Sequence, residues 1–265
     1  MAHRSAITFV LLLASASTMA APVGEETFVF TLTLFLHQAL FVFWLGPDIG
    51  VYMWSTKLAN SENTPAQRIA AARMMPVIEV ISKGCMSLML TVGGVLTQLR
   101  GIDHYDWQMP LIILLGPIWL TLTLLVYFRA GTARGEKLAR MDVWFRWLVV
   151  ASVLGSVVLS VSTGRLAEVP WVTAKLMLFA AVVLFGLLMR TRLKSLPENL
   201  ARLENDGPSS EVDGAIAKCI GNARIFMFAS WICLLAAGAL GTFQPGTTGS
   251  QAGAAEYGAL LEAVD

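Results

Sequence analysis

Apolar residues run along this chain in six long blocks, at about 28 to 54, 76 to 99, 109 to 128, 144 to 163, 170 to 190 and 224 to 243. Each reaches the roughly 20 residues that a helix needs to cross the hydrocarbon core of a bilayer. None shows the two-residue alternation of a half-buried strand. The pattern predicts an all-α, polytopic membrane bundle of six transmembrane helices over residues 23–243, with no second soluble domain. A shorter apolar run, AITFVLLLASA, follows His3 and Arg4 and ends in small residues before Pro22. Residues 1–22 thus read as a secretory signal or as an extra N-terminal helix, and either places residues 23–27 on the outer side. The last stretch, 244–265, is rich in Gly, Ala and Thr and reads as a loose outer tail.

Composition agrees with the spans. Of 265 residues, 56% are hydrophobic and 14% charged, with a mean hydropathy of +0.66, a balance that excludes a water-soluble domain. The net charge of +1 hides a strong asymmetry. Fourteen lysines and arginines fall after spans one, three and five, including Arg134, Arg140, Arg146, Arg190 and Arg202, whereas only Arg100 and Arg165 follow spans two and four. Cytoplasmic loops collect positive charge, so both ends of the bundle are expected outside, in a cell inner (plasma) membrane.

The inner loops carry helix signals of their own. Thr64, Pro65 and Gln67 open a helix leading toward Pro76. Ser195 with Glu198 repeats the device before LARLE, and Ser210 with Asp213 caps a helix leading into span six. Trp107 and Trp171 fit an outer aromatic belt, and Trp54, Trp144 and Trp147 an inner one. Ser152, Ser156 and Ser160 repeat at four-residue spacing, the mark of a helix contact face.

The candidate chemistry centres on His37, the one histidine within any of the six blocks. An ionisable or ligating side chain at that depth costs a few kcal/mol and is by default a functional residue. On a helical wheel Trp44 and Asp48 fall within about 20° of His37 and Phe41 within about 40°. One face therefore carries an imidazole, aromatic plates and a carboxylate, with Pro47 permitting a kink beside Gly46. The alternative is a buried histidine bonded to a neighbouring helix. Lys175 lies in the outer part of span five, about 8 Å deep against about 13 Å for His37, either snorkelling outward or serving an anionic group. An imidazole and an ammonium in one outer half suit a haem iron and its propionates. Met89, about 15 Å deep in span two, is level with His37 and is the candidate second axial ligand.

The sequence of His37, six residues, Trp44 and Gly46, followed much later by Trp171, three residues, Lys175 and Leu176, resembles the membrane-type protoporphyrinogen IX oxidase family, and more loosely the copper-resistance D family. The resemblance implies a helical bundle in which His37 coordinates haem b and Trp171 and Lys175 belong to the active or cofactor region. This chain differs from the oxidase pattern at Thr173, where that family carries a second histidine, and in two additional spans, 109 to 128 and 144 to 163.

Other features are less specific. Glu79 and Lys83 are spaced for an ion pair at the membrane boundary, or for a proton or quinone path with Asp48. Cys85, Met86 and Met89 suit packing or a soft metal. The loop Asp103, His104, Asp106 supplies too few fixed ligands for a metal site. There is no Cys-x-x-Cys and no glycine-rich phosphate loop, and nothing points to nucleic acid. Three functions follow as expectations. The first is a haem b redox protein, an oxidoreductase if it turns over, exchanging electrons with a quinone or porphyrin in the lipid bilayer, with Lys175 as the catalytic candidate. The second is a copper transport or resistance protein using His37, Met86 and Met89. The third is a cofactor-free assembly subunit joined to other membrane subunits.

Overall fold

A computed structural model describes residues 25–102 and 104–247. The signal-like segment 1–22, Asp103 and residues 248–265 of the expected tail lie outside the described residues. Seven helices are present: α1 (Glu25–Ala59), α2 (Pro65–Leu99), α3 (Gln108–Phe128), α4 (Ala133–Thr163), α5 (Pro170–Arg192), α6 (Leu196–Asn205) and α7 (Ser210–Phe243). All except α6 are long and apolar enough to cross a membrane. The protein is therefore a multi-pass helical membrane protein, with no strand among the described residues.

The spanning helices form a closed ring. Each packs on two neighbours, in the order α1, α2, α3, α4, α5, α7 and back to α1. The outward faces are apolar, with Phe35, Val158 and Ile232 each more than 60% exposed, as suits a surface solvated by lipid. Side chains from all six, including Trp44, Met86, Trp119, Val149, Val183 and Leu234, fill the middle of the ring. The connections rich in arginine and lysine, after α1, α3 and α5, share one end, here the basic end. Across it lies α6, whose Leu203 joins Leu58, Val212 and Ile216 in a separate buried cluster. The fully buried Arg68 ties this cap together by donating to the Leu58 carbonyl and to Asp213.

Several helices extend further than the apolar blocks. The helix opened at Thr64 and span two are one 35-residue element, about 52 Å long. Thr64 and Gln67 form the expected reciprocal cap, and Pro76 does not end the helix. Ser195 does not cap α6. Its hydroxyl pairs instead with the Cys219 thiol at 3.0 Å. The cap of α7 is Ser209, which accepts from the Val212 amide, rather than Ser210. Arg146, expected in a loop, is a buried residue of α4 paired with Asp142 at 2.8 Å and stacked on Trp119. The contact face of α4 consists of Val149, Val153, Val157 and Ser160, while Ser152 is exposed. The valines are joined in this contact by Ser160, and Ser156 accepts from Gln108 of α3 at 3.4 Å, so only Ser152 of the serine stripe stands outside it.

Close approach around the ring depends on small residues. The Thr91 hydroxyl of α2 accepts from the Gly116 amide at 2.9 Å and donates to the Ile112 carbonyl. Those two groups belong to one turn of α3, so the Thr91 hydroxyl ties α2 to both ends of that turn. A Cβ at Gly116 would stand 2.6 Å from the Thr91 oxygen.

Candidate functional site: a cavity between the six spanning helices

Toward the end opposite the basic loops the core gives way to a cavity of about 1510 Å³ lined by all six spanning helices. Sites for drug-sized ligands span about 300–1,000 Å³, so this one accommodates a larger guest. Trp44 and Phe179, in edge contact at 6.1 Å, are among the buried residues lining it where it meets the core.

All five residues singled out in the sequence line this one cavity: His37, Trp44, Met89, Trp171 and Lys175. His37 projects from α1 against the backbone of α2, where a Cβ on Gly93 would lie 3.2 Å from its Cε1 and 3.6 Å from its Nδ1. Only glycine at 93 lets the imidazole seat without displacement. Its Nδ1 is sealed from solvent and has no hydrogen-bond partner. Met89 is buried one helical turn from Gly93 toward the basic end, about 6 Å along α2. Its expected level with His37 is therefore offset by about a turn.

The far end of the cavity is cationic. The Lys175 ammonium stands 5.7 Å from the centroid of the Trp171 ring, and the Arg100 guanidinium 6.0 Å from the same ring. Arg100 also covers Phe30 at 5.4 Å. No carboxylate lies within salt-bridge distance of either cation among the described residues, and each lies within electrostatic reach of the other. Gly241 of α7 makes room for Lys175, since a Cβ there would stand 2.7 Å from Nζ. The lysine thus turns across the cavity toward α7. Trp171 is 7% exposed, so it is a cavity wall and not part of an outer belt. Trp107 and Trp144, at 57% and 77% exposed, fit the belt positions. Arg100 had registered in the sequence only as a loop charge. Its place one residue beyond α2, at the same end as Lys175, was the signal available.

Of the remaining sequence candidates for metal or proton chemistry, His104 also lines the cavity, and the others separate from it. Met86 and Cys85 do not line it, and the Met86 sulfur faces the Arg146 guanidinium at 3.9 Å. A cation there opposes copper ligation. His104 pairs through Nε2 with the Thr97 hydroxyl at 2.9 Å and the Gly94 carbonyl at 3.2 Å. No group of three or more His, Cys, Asp or Glu suited to a metal ion occurs among the described residues. Glu79 and Lys83 form their ion pair at 2.9 Å, both partly exposed. Asp48 faces a different cluster, with Ser82, Trp231, Glu79 and Lys83 around it. No family model matches this chain, and neither a curated protein nor a solved structure matches it.

The residues present fit a large, flat, mainly apolar guest with acidic substituents. Such a guest would find an imidazole nitrogen without a partner, a buried thioether, aromatic walls and two cations with no ion-pair partner among the described residues. Haem b has that chemistry: an iron that takes a neutral nitrogen ligand, an apolar macrocycle and two propionates.

Proposed function

We propose that this protein is an integral membrane haem b-binding redox protein that exchanges electrons with a hydrophobic partner, a quinone or a porphyrin, drawn from the bilayer. The observation carrying this reading is the convergence of His37, Met89, Trp171, Lys175 and Arg100 on one cavity. His37 would hold the iron through a ring nitrogen, and Met89, whose thioether lies in the same cavity, would be the candidate second ligand. Haem, when bound, would supply a reversible one-electron couple whose potential depends on axial ligands and burial. Lys175 and Arg100 would hold the propionates by charge-assisted hydrogen bonds. Trp171, beneath both cations, fixes their position by cation–π contact worth roughly 0.5–2 kcal/mol. Trp44 and Phe179 exclude water from the inner wall. If the protein turns over substrate, it is a membrane oxidoreductase and Lys175 is the residue best placed to meet an anionic group on that substrate. The charge asymmetry of the loops supports an orientation with the basic end in the cytoplasm and the cavity end on the outer side of an inner membrane.

The test is the visible absorption of detergent-purified protein, oxidised and then reduced, together with its metal content. A Soret band that shifts on reduction, with about one iron per chain, supports the reading. A protein that stays colourless after expression with added haem precursor refutes it, and bound copper without such bands would favour transport.

A further inference from the structure

The cavity reaches the lipid between two of its helices. Leu111, Leu114 and Ile118 on α3 and Leu148 on α4 all line it, yet each is 53–61% exposed. A side chain that borders a cavity and is more than half exposed marks a place where that cavity meets the outside. The three on α3 fall at i, i+3 and i+7, along one face of the helix. Across from them α4 offers small groups, Ser152 and Gly155, which also line the cavity. A Cβ added at Gly155 would meet nothing within 4 Å, so open space lies beside this stretch of α4.

The two helices meet on either side of that stretch. Toward the end opposite the basic loops Gln108 donates to Ser156 at 3.4 Å, and Tyr105 donates to Thr163 at 3.2 Å. Toward the basic end Trp119 packs on Phe145 at 5.8 Å. The interval from Gln108 to Trp119 on α3, matched by that from Phe145 to Ser156 on α4, is about 16 Å along each axis. It frames a window in the wall of the ring. The seam between α1 and α7 also carries exposed cavity residues, Val42 and Leu235. There the Phe41 ring crosses to α7, where a Cβ on Gly238 would stand 3.3 Å from its Cζ, and it narrows the gap.

The chemistry of the window decides what can pass. None of the six side chains along it is ionisable, so a guest bearing free carboxylates would cross with no partner for its charge, which a membrane interior penalises heavily. That disfavours a porphyrin as the exchanging partner. A neutral ring on an apolar chain meets no such barrier. At the rim, the Ser156 hydroxyl accepts from Gln108 and keeps its own O–H free to donate to a carbonyl oxygen. The cavity, at about 1510 Å³, exceeds the range filled by one drug-sized ligand and has space for such a ring beside a resident group.

We propose that the seam between α3 and α4 is a lateral portal through which a neutral quinone, its carbonyl-bearing ring carried on a long apolar chain, enters the cavity from the hydrocarbon. The purpose of this portal rests on the redox role proposed above, while its geometry involves neither His37 nor Lys175.

Photolabelling of the full chain in lipid nanodiscs tests it, with haem present or absent. The reagent is a benzoquinone whose decyl chain carries a diazirine, which loses nitrogen on irradiation to give a carbene that inserts into a neighbouring C–H bond. Mass spectrometry then locates the adduct. Adducts are expected within Leu111–Ile118 and Leu148–Gly155, displaced by excess unlabelled quinone. Gly155→Trp, which fills open space, should cut them by roughly tenfold, equal to about 1.4 kcal/mol of lost affinity. Competition in wild type reads the site even where that variant folds poorly. Adducts that unlabelled quinone does not displace, adducts confined to the seam between α1 and α7, or undiminished labelling of folded Gly155→Trp would each overturn the proposal. A protein that labels as expected but stays colourless refutes the haem reading alone, and a haem-bearing protein without these adducts refutes the portal alone.

Discussion

Gly93 and Gly94 are adjacent on α2 but face different neighbours, and alanine at the two positions should have opposite effects. In a helix interior, alanine gains about 1 kcal/mol over glycine from backbone entropy. At Gly94 the new Cβ would lie 2.5 Å from Ile112 Cγ2, about 1 Å inside the 3.5–4.0 Å optimum for carbon pairs. Ile112 is β-branched and has essentially one rotamer available in a helix, so α2 and α3 must part, and overpacking of this kind costs roughly 1–3 kcal/mol. Gly94→Ala should therefore be destabilised by up to about 2 kcal/mol. At Gly93 the Cβ would meet His37 Cε1 at 3.2 Å, a shortfall of only about 0.3 Å against the lower end of that optimum. The imidazole borders a cavity and can tilt away. Gly93→Ala should then be as stable as wild type or up to about 1 kcal/mol more so, while its haem absorption shifts or weakens because the ligand has moved. Thermal unfolding in detergent, read beside the visible spectrum, separates the two. Equal destabilisation of both variants, or a spectral change confined to Gly94→Ala, would refute the placement of His37 against Gly93.

Further expectations follow from the same structure. Arg68→Ala leaves Asp213 without its partner at the buried basic cap and should cost about 3–5 kcal/mol, measured by unfolding in detergent with haem content per folded chain unchanged. Thr91→Val removes the bridge between Ile112 and Gly116 and should destabilise α3 by about 1–3 kcal/mol, seen as faster hydrogen exchange confined to that helix. Lys175→Gln with Arg100→Gln should keep haem coordinated but weaken its retention on dilution, more than either change alone. Reporter fusions after Gly131 and after Gly207 should report one side of the membrane, and a fusion after Ala167 the other.

The six spans were legible because bilayer thickness fixes the length of an apolar block, and the helical phase of His37 and Trp44 placed both on one inward face. Helix ends were harder to read. Beyond the hydrocarbon, α2 and α4 continue as amphipathic helix, where hydropathy falls although hydrogen bonding does not. That is why Arg146 looked like a loop charge. The pair Asp142 and Arg146, four apart, was the overlooked sign that the helix begins earlier. The cavity itself was not legible, since a gap at one end of a ring whose middle is filled depends on which helices meet. His37 and Lys175 could be matched by depth, but the Gly93 seat, the Gly241 approach and the sharing of Trp171 by two cations belong to contacts between helices far apart in sequence.

The central claim is that His37 holds haem b in the cavity between the six spanning helices. Its most direct test is haem content per folded chain for wild type and His37→Ala, purified in parallel and assayed by extraction of the pigment and by the reduced spectrum. The account predicts about one haem in wild type and none in His37→Ala at unchanged folded yield. Equal haem in both proteins, or none in wild type, would contradict it.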